Sequence, residues 1–230
     1  MTSSINPQIF REYDIRGIVG QDLTPESVAS IGKAIGTYIR RGGGKTMVIG
    51  RDVRLSSIEF RDILSKALNS TGCDVIDIGM VPTPVTYFAL HHFKADGGVM
   101  ITGSHNPPEY NGFKISQGVH SLYGKKVQEL KRLIEANDFE IGTGNTRQQE
   151  VLGDYMEKVC SILKISRKVK VVVDGGNGCF GIVGPDLLRM LGQDPVELFS
   201  EPDGTFPNHH PDPTVKEHLT HLIAKVRSEN

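Results

Sequence analysis

The sequence contains no tryptophan, only three cysteines and few aromatic residues, 7% of its 230 positions. Nor does either charge dominate: 26 Lys and Arg stand against 27 Asp and Glu, for a formal net charge of −1. That balance gives no electrostatic reason to expect nucleic acid or an anionic membrane as partner, so any phosphate binding has to be local. Cys73, Cys160 and Cys179 are odd in number, widely spaced and without metal-ligand spacing. They argue against a disulfide framework and fit reduced, buried thiols in a cytoplasmic protein. No run of about 18 apolar residues occurs, and the first residues lack the basic-then-apolar pattern of a signal region. The expectation is a soluble, cytoplasmic chain. With 38% hydrophobic residues, it has enough apolar material for one large or two ordinary domains.

What is present alternates. Thr24-Pro25-Glu26 reads as a helix start, and Val28, Ile31, Ile35 and Ile39 follow helical spacing up to the glycines from Gly42. Thr46 to Ile49 has the length and branching of a buried strand. Ser56 with Glu59 three residues on reads as a capping box, opening a helix that Gly72 ends. Asp74 to Ile78 is a strand, Thr83 to Phe93 a helix and Gly98 to Ile101 another strand. Phe113 to Ser116 and Val119 to Tyr123 suggest a hairpin, followed by a helix from Lys125 to Asn137. This order predicts an α/β fold: a mixed, mainly parallel sheet sandwiched by helices. Gly142 to Thr146 marks the best boundary, dividing the chain into domains 1–146 and 147–230. The second repeats the theme with a helix at Asp154 to Leu163, strands at Lys168 to Val173 and Val196 to Phe199, and a helix at Val215 to Arg227. With only two strands, this second, similar domain reads as incomplete.

Residues 102 to 114, Thr-Gly-Ser-His-Asn-Pro-Pro-Glu-Tyr-Asn-Gly-Phe-Lys, concentrate polar and conformationally restrictive residues. The stretch begins where the Gly98 to Ile101 strand ends, the edge at which open α/β sheets bind ligands. Gly103, Pro107 and Pro108 stiffen it, so Ser104 is presented on a rigid loop with His105, Asn106 and Lys114 nearby as donors. That setting suits a phosphate on Ser104.

Two other motifs compete. Gly176-Asn177-Gly178-Cys179-Phe180-Gly181 fits the dinucleotide fingerprint, with Glu201 at a suitable distance, which leaves a Rossmann-type oxidoreductase domain as an alternative. Asp174 stands where a pyrophosphate would approach, favouring a plain strand-to-helix turn. His209 and His210 are adjacent but lack a third metal ligand at useful spacing. Arg51 and Asp52 read as a structural pair supporting the serine loop.

The serine loop, together with Phe10 to Gly17, Gly50-Arg51-Asp52, Val81-Pro82-Thr83-Pro84, Val173 to Gly178 and Phe206 to Pro213, resembles the α-D-phosphohexomutase superfamily, bacterial phosphomannomutase/phosphoglucomutase type. The resemblance covers essentially the whole chain. It implies that a phosphorylated Ser104 passes its phosphoryl group to a hexose phosphate, mannose or glucose 1- or 6-phosphate. A hexose 1,6-bisphosphate then turns over and returns the other group, so phosphate moves between C1 and C6. By the same resemblance Lys114 and Arg16 supply positive charge, with Lys114 also a proton carrier. His105 and Asn106 position loop and substrate, Tyr13 and Arg16 contact the sugar phosphate, and Mg²⁺ touches Ser104 through its phosphate. The family's Asp-Gly-Asp-Gly-Asp metal loop does not occur in the sequence. The chain therefore resembles an N-terminal portion, expected to be inactive alone or to need a partner chain carrying the C-terminal half.

Overall fold

The computed structural model describes residues 5–229. The first sheet collects β1 (Ile15–Ile18), β2 (Thr46–Arg51), β3 (Asp74–Met80), β4 (Gly97–Ile101), β5 (Tyr110–Gln117), β6 (His120–Ser121) and β7 (Thr146–Gln148). Its order is β1-β5-β4-β2-β3-β7, with β6 paired to β5. Strands β4, β2, β3 and β7 are mutually parallel, whereas β5 runs antiparallel to both β4 and β1.

Helices cover both faces because the strands are apolar on both; every residue of β4 is buried. On one face lie α1 (Pro25–Arg41), α2 (Ser56–Asn69) and α4 (Lys125–Glu135), packing Ile31, Ile35, Leu64 and Leu130 onto Met47, Ile49, Val99, Ile101 and Phe113. On the other, α3 (Thr83–His92) puts Val85, Ala89 and Leu90 against Val48, Ile76 and Met100. Helix α1 begins as the sequence predicts: Thr24 accepts from the Ser27 backbone N–H and Ser27 returns the bond, with Pro25 at the first helical position.

Helix α2 does not. Its cap is Leu55, with no side-chain cap bond, and the expected Ser56–Glu59 box is not formed. The hydroxyls are committed elsewhere: Ser57 donates to Asp52, and Ser56 accepts from Asn111. The expected domain change at 146 falls inside β7, which stays with the first sheet; Gln149 still donates its backbone N–H to Asp77. Gly144 admits this edge, since a Cβ there would lie 1.8 Å from the Cys73 carbonyl.

The second unit contains α5 (Leu152–Ile162), β8 (Val171–Asp174), α6 (Gly184–Met190), β9 (Pro195–Leu198) and α7 (Thr220–Ser228), with 3-10 turns at Cys179–Ile182 and Lys216–Leu219. Strands β8 and β9 pair in parallel. Lys168 to Lys170, expected in the strand, precede it, and the expected last helix is divided between a 3-10 turn and α7. Neither α5 nor α7 has a buried residue, and Ile162, Leu163, Met190 and Val226 stand exposed. Cys73 and Cys179 are buried as expected; Cys160, on α5, is half-buried for the same lack of cover.

Candidate active site

The serine loop leaves β4 at its C-terminal end, and Ser104 sits exposed with φ +54°, in the left-handed region that a non-glycine residue enters at a cost. Surrounding bonds hold it there. Its N–H donates to the Thr102 hydroxyl at 2.9 Å. Gly103 donates to Asp52 at 3.1 Å, and a Cβ at Gly103 would collide with the Arg54 guanidinium at 2.2 Å.

Arg54 is the residue that sequence reasoning missed. It is 1% exposed and lies inside the curve of the loop. Nε donates to Asp52 at 3.2 Å, Nη1 to the carbonyls of Pro107 (2.6 Å) and Tyr110 (2.8 Å), and Nη2 to those of Ser104 (3.0 Å) and Asn106 (2.6 Å). Burial pulls its pKa down, and Asp52 opposes that. Asp52 also accepts from the Arg54 backbone and from Ser57. The expected Arg51–Asp52 pair is thus replaced: Arg51 reaches only the Asp52 carbonyl, at 3.3 Å. The available signal was the spacing Asp52-x-Arg54, which lets a carboxylate and guanidinium bond locally around a turn.

Arg16, 6% exposed on β1, pairs with Asp14 and donates from Nη1 to the Gly103 carbonyl at 3.0 Å. Its Nε has no partner among the described residues. Asn106 turns back on the loop, donating to Gly103 O at 3.0 Å. His105 is exposed and reaches across to the second unit, with Nδ1 3.3 Å from Asp212 Oδ1. Asp212 is held well below the usual carboxylate range, at about 2, by the Thr214 hydroxyl and N–H and then by His105.

Two depressions meet this region. One, about 190 Å³, brings Ser104, Thr102 and Asp52 together with Cys179, Phe206 and Pro211 of the second unit. The other, about 320 Å³, contains Lys114 with Tyr13, Tyr87 and Tyr123. The structure therefore gathers Ser104, His105, Asn106 and Arg16 around one loop. Lys114, half-buried on β5, and Tyr13, 73% exposed, belong to the neighbouring hollow.

In the second unit, the fingerprint glycines are filled from within. Asp174 accepts from Gly176 N–H at 2.9 Å and from His209 Nε2 at 3.1 Å, and Asn177 donates to the Glu201 carbonyl. The hollow in front of Gly176, about 270 Å³, is lined by the Asp174 carboxylate and His209, so a pyrophosphate there would face a negative charge. Burial works against protonation of His209, but the His210 carbonyl and Asp174 outweigh it and raise the pKa.

Residues 7–141 match the description "Phosphoglucomutase/phosphomannomutase, alpha/beta/alpha domain I", and residues 153–230 match domain II of the same family. The chain belongs to the phosphoglucomutase/phosphomannomutase family. A phosphomannomutase/phosphoglucomutase of Pseudomonas aeruginosa is 46% identical over 222 residues, 96% of this chain and 48% of that protein. A phosphoglucomutase of Neisseria gonorrhoeae is 41% identical over 98% of this chain and 50% of its own length. The crystal structure of a phosphoglucomutase/phosphomannomutase family protein from Burkholderia thailandensis superposes with a TM-score of 0.94 at 42% identity, covering 98% of this chain and 51% of that one. The chain thus spans about half the length of the curated relatives it matches, as the resemblance to an N-terminal portion implied. Members of this family are isomerases that relocate phosphate, and the mixed, mainly parallel sheet agrees with its solved structures.

Proposed function

We propose that this chain carries the phosphoserine half of a phosphohexomutase site, in which Ser104 exchanges a phosphoryl group with a hexose phosphate. The observation that carries the reading is Ser104 itself: in a chain of this family it stands exposed, in a left-handed conformation, on a clamped loop at the end of a central parallel strand. In the forward step a bond forms from a sugar hydroxyl oxygen to phosphorus, and the phosphorus–Ser104 Oγ bond breaks. In the return step Ser104 Oγ bonds to the other phosphorus of the bisphosphosugar, that phosphorus–sugar oxygen bond breaks, and the freed sugar oxygen takes up a proton. A loose transition state of this kind asks mainly for positioning and charge neutralisation.

Arg16, anchored on Gly103 O, supplies fixed positive charge beneath the loop. Asn106 holds the turn, and His105 ties it to Asp212. Lys114 takes or returns the sugar hydroxyl proton from the adjoining hollow, where Tyr13 meets the sugar phosphate. The substrate class is mannose or glucose phosphate, and the setting cytoplasmic, consistent with three free cysteines and with no helix, among the described residues, long and apolar enough to cross a membrane. We divide the chain just after β7, between Gln149 and Leu152, rather than at 146; the second unit then supplies the wall facing Ser104.

Mg²⁺ does not find its site in these residues. Among those described, no group of three or more His, Cys, Asp or Glu side chains is placed to hold a metal, and His209 is occupied by Asp174. A phosphate on Ser104 would be a single ligand, too few to hold the ion by itself. The test is intact-mass and phosphopeptide analysis after incubation with glucose 1,6-bisphosphate and Mg²⁺. A gain of one phosphate at Ser104, lost in Ser104→Ala, is expected; label at other residues, unchanged by Ser104→Ala, refutes the reading.

A further inference from the structure

We propose that Arg54 is the positioning residue of the serine loop, fixing the direction of Ser104 by occupying all of its own hydrogen-bonding capacity on that loop and its base. A guanidinium has five N–H donors in a rigid planar fork and no other polar function. Here each donor has an acceptor: Asp52 below, and the carbonyls of Ser104, Asn106, Pro107 and Tyr110 around it. Four carbonyls from a seven-residue span turn inward to a single charged group. The span would otherwise carry the cost of a proline pair, a left-handed serine and several unpaired carbonyls.

The fork also fixes what lies outside the loop. With the carbonyls directed inward, the Ser104 side chain is left exposed at the rim of the 190 Å³ depression. Gly103 fits this design, because the guanidinium occupies the space of its missing side chain. From the second unit, the Phe206 ring lies 5.4 Å from the Arg54 Cζ, and the backbone of Gly204 runs so close to Val53 that a Cβ would meet its carbonyl at 2.5 Å. One side chain therefore sets the serine loop against both walls of the cleft. A lysine cannot substitute, since a point charge with three donors cannot serve one carboxylate and four carbonyls at once.

This inference rests on Ser104 as the phosphoryl carrier, but its structural arm does not. The experiment uses the whole chain, its Arg54→Lys variant and its Asp52→Asn variant, each checked by circular dichroism. Amide hydrogen exchange is read for 102–110 against the β4 strand. Ser104 phosphorylation by glucose 1,6-bisphosphate is followed by mass spectrometry across a range of bisphosphate concentrations. In Arg54→Lys, exchange across 102–110 is expected to rise about tenfold or more while β4 is unchanged. The maximal rate of Ser104 phosphorylation should fall about 100-fold, the scale of a 1 Å misplacement, with the half-saturating concentration within about twofold. Asp52→Asn, nearly the same shape, is expected to give the same split in milder form; if Arg54→Lys fails to fold, this variant decides. Unaltered exchange in 102–110, or a loss confined to the half-saturating concentration, overturns the proposal. If the unaltered chain takes no phosphate, the phosphoserine reading fails, and the exchange measurement still decides whether Arg54 holds the loop.

Discussion

Single side chains decide how this loop is built, and most of the decisive ones are buried. His209 illustrates the electrostatic side. Its folded pKa is raised by the His210 carbonyl and Asp174, against the effect of burial. A raised pKa means that the stabilisation is complete below the unfolded value near 6.5 and is lost as pH climbs through the folded value. The difference in thermal midpoint between the chain and His209→Gln should therefore be larger at pH 6 than at pH 8.5; a difference that grows with pH would contradict the Asp174 pairing. Asp212 has the opposite sign. Depressed to about 2 by Thr214 and His105, it contributes above its unfolded value and loses that contribution only as pH falls toward 2. Its residues of contact are readable only in space, because His105 and Asp212 are 107 positions apart, and no sequence pattern pairs them.

Elements follow their local chemistry where nothing in the fold competes with it. Helix α1 obeys Thr24, Pro25 and Gly42, and Thr24→Ala should cost about 1 kcal/mol, read as a shift in the urea midpoint at constant slope. Helix α2 carries an equally good signal in Ser56 and Glu59, yet its serines bond Asp52 and Asn111. The prediction is that Glu59→Ala changes stability by less than about 0.5 kcal/mol, as for other surface substitutions, because no box is there to lose. At β5 the core dominates: Phe113 is fully buried beside Phe60, with ring centroids 6.0 Å apart, and Phe113→Ala should cost about 3–5 kcal/mol by equilibrium unfolding. Strand β7, the exposed Thr146–Gln148, carries no apolar signal and was not expected, whereas β2, β3 and β4 were legible because they are short apolar runs between glycines and turns. β8 was not fully so: Lys168-Val169-Lys170-Val171 alternates like a strand, but only the part that meets β9 is paired.

For the whole molecule, the two units differ in how they are covered. The first buries a sheet between helices; the second has a two-stranded sheet, and of its helices neither α5 nor α7 has a buried residue. Exposed Ile162, Leu163, Met190 and Val226 follow directly from that thin layering. Since the chain spans about half the length of its curated relatives, we propose that by itself it interconverts hexose 1- and 6-phosphates at no detectable rate. A coupled assay on the purified 230-residue chain, showing turnover that Ser104→Ala removes, would reverse that expectation.

The sequence by itself determined the α/β alternation, the ends of α1 and the serine loop, because each is written in local spacing and residue type, and its separated motifs carried the resemblance to a phosphate-moving family. Only the tertiary structure decided that Arg54 rather than Arg51 serves Asp52, that His105 faces Asp212, and that Lys114 and Tyr13 share a hollow beside the one containing Ser104. The first depends on burial, since the buried Arg54 guanidinium takes the acceptors that geometry offers; the others depend on which partly or fully exposed side chains the strands and loops bring side by side across the fold.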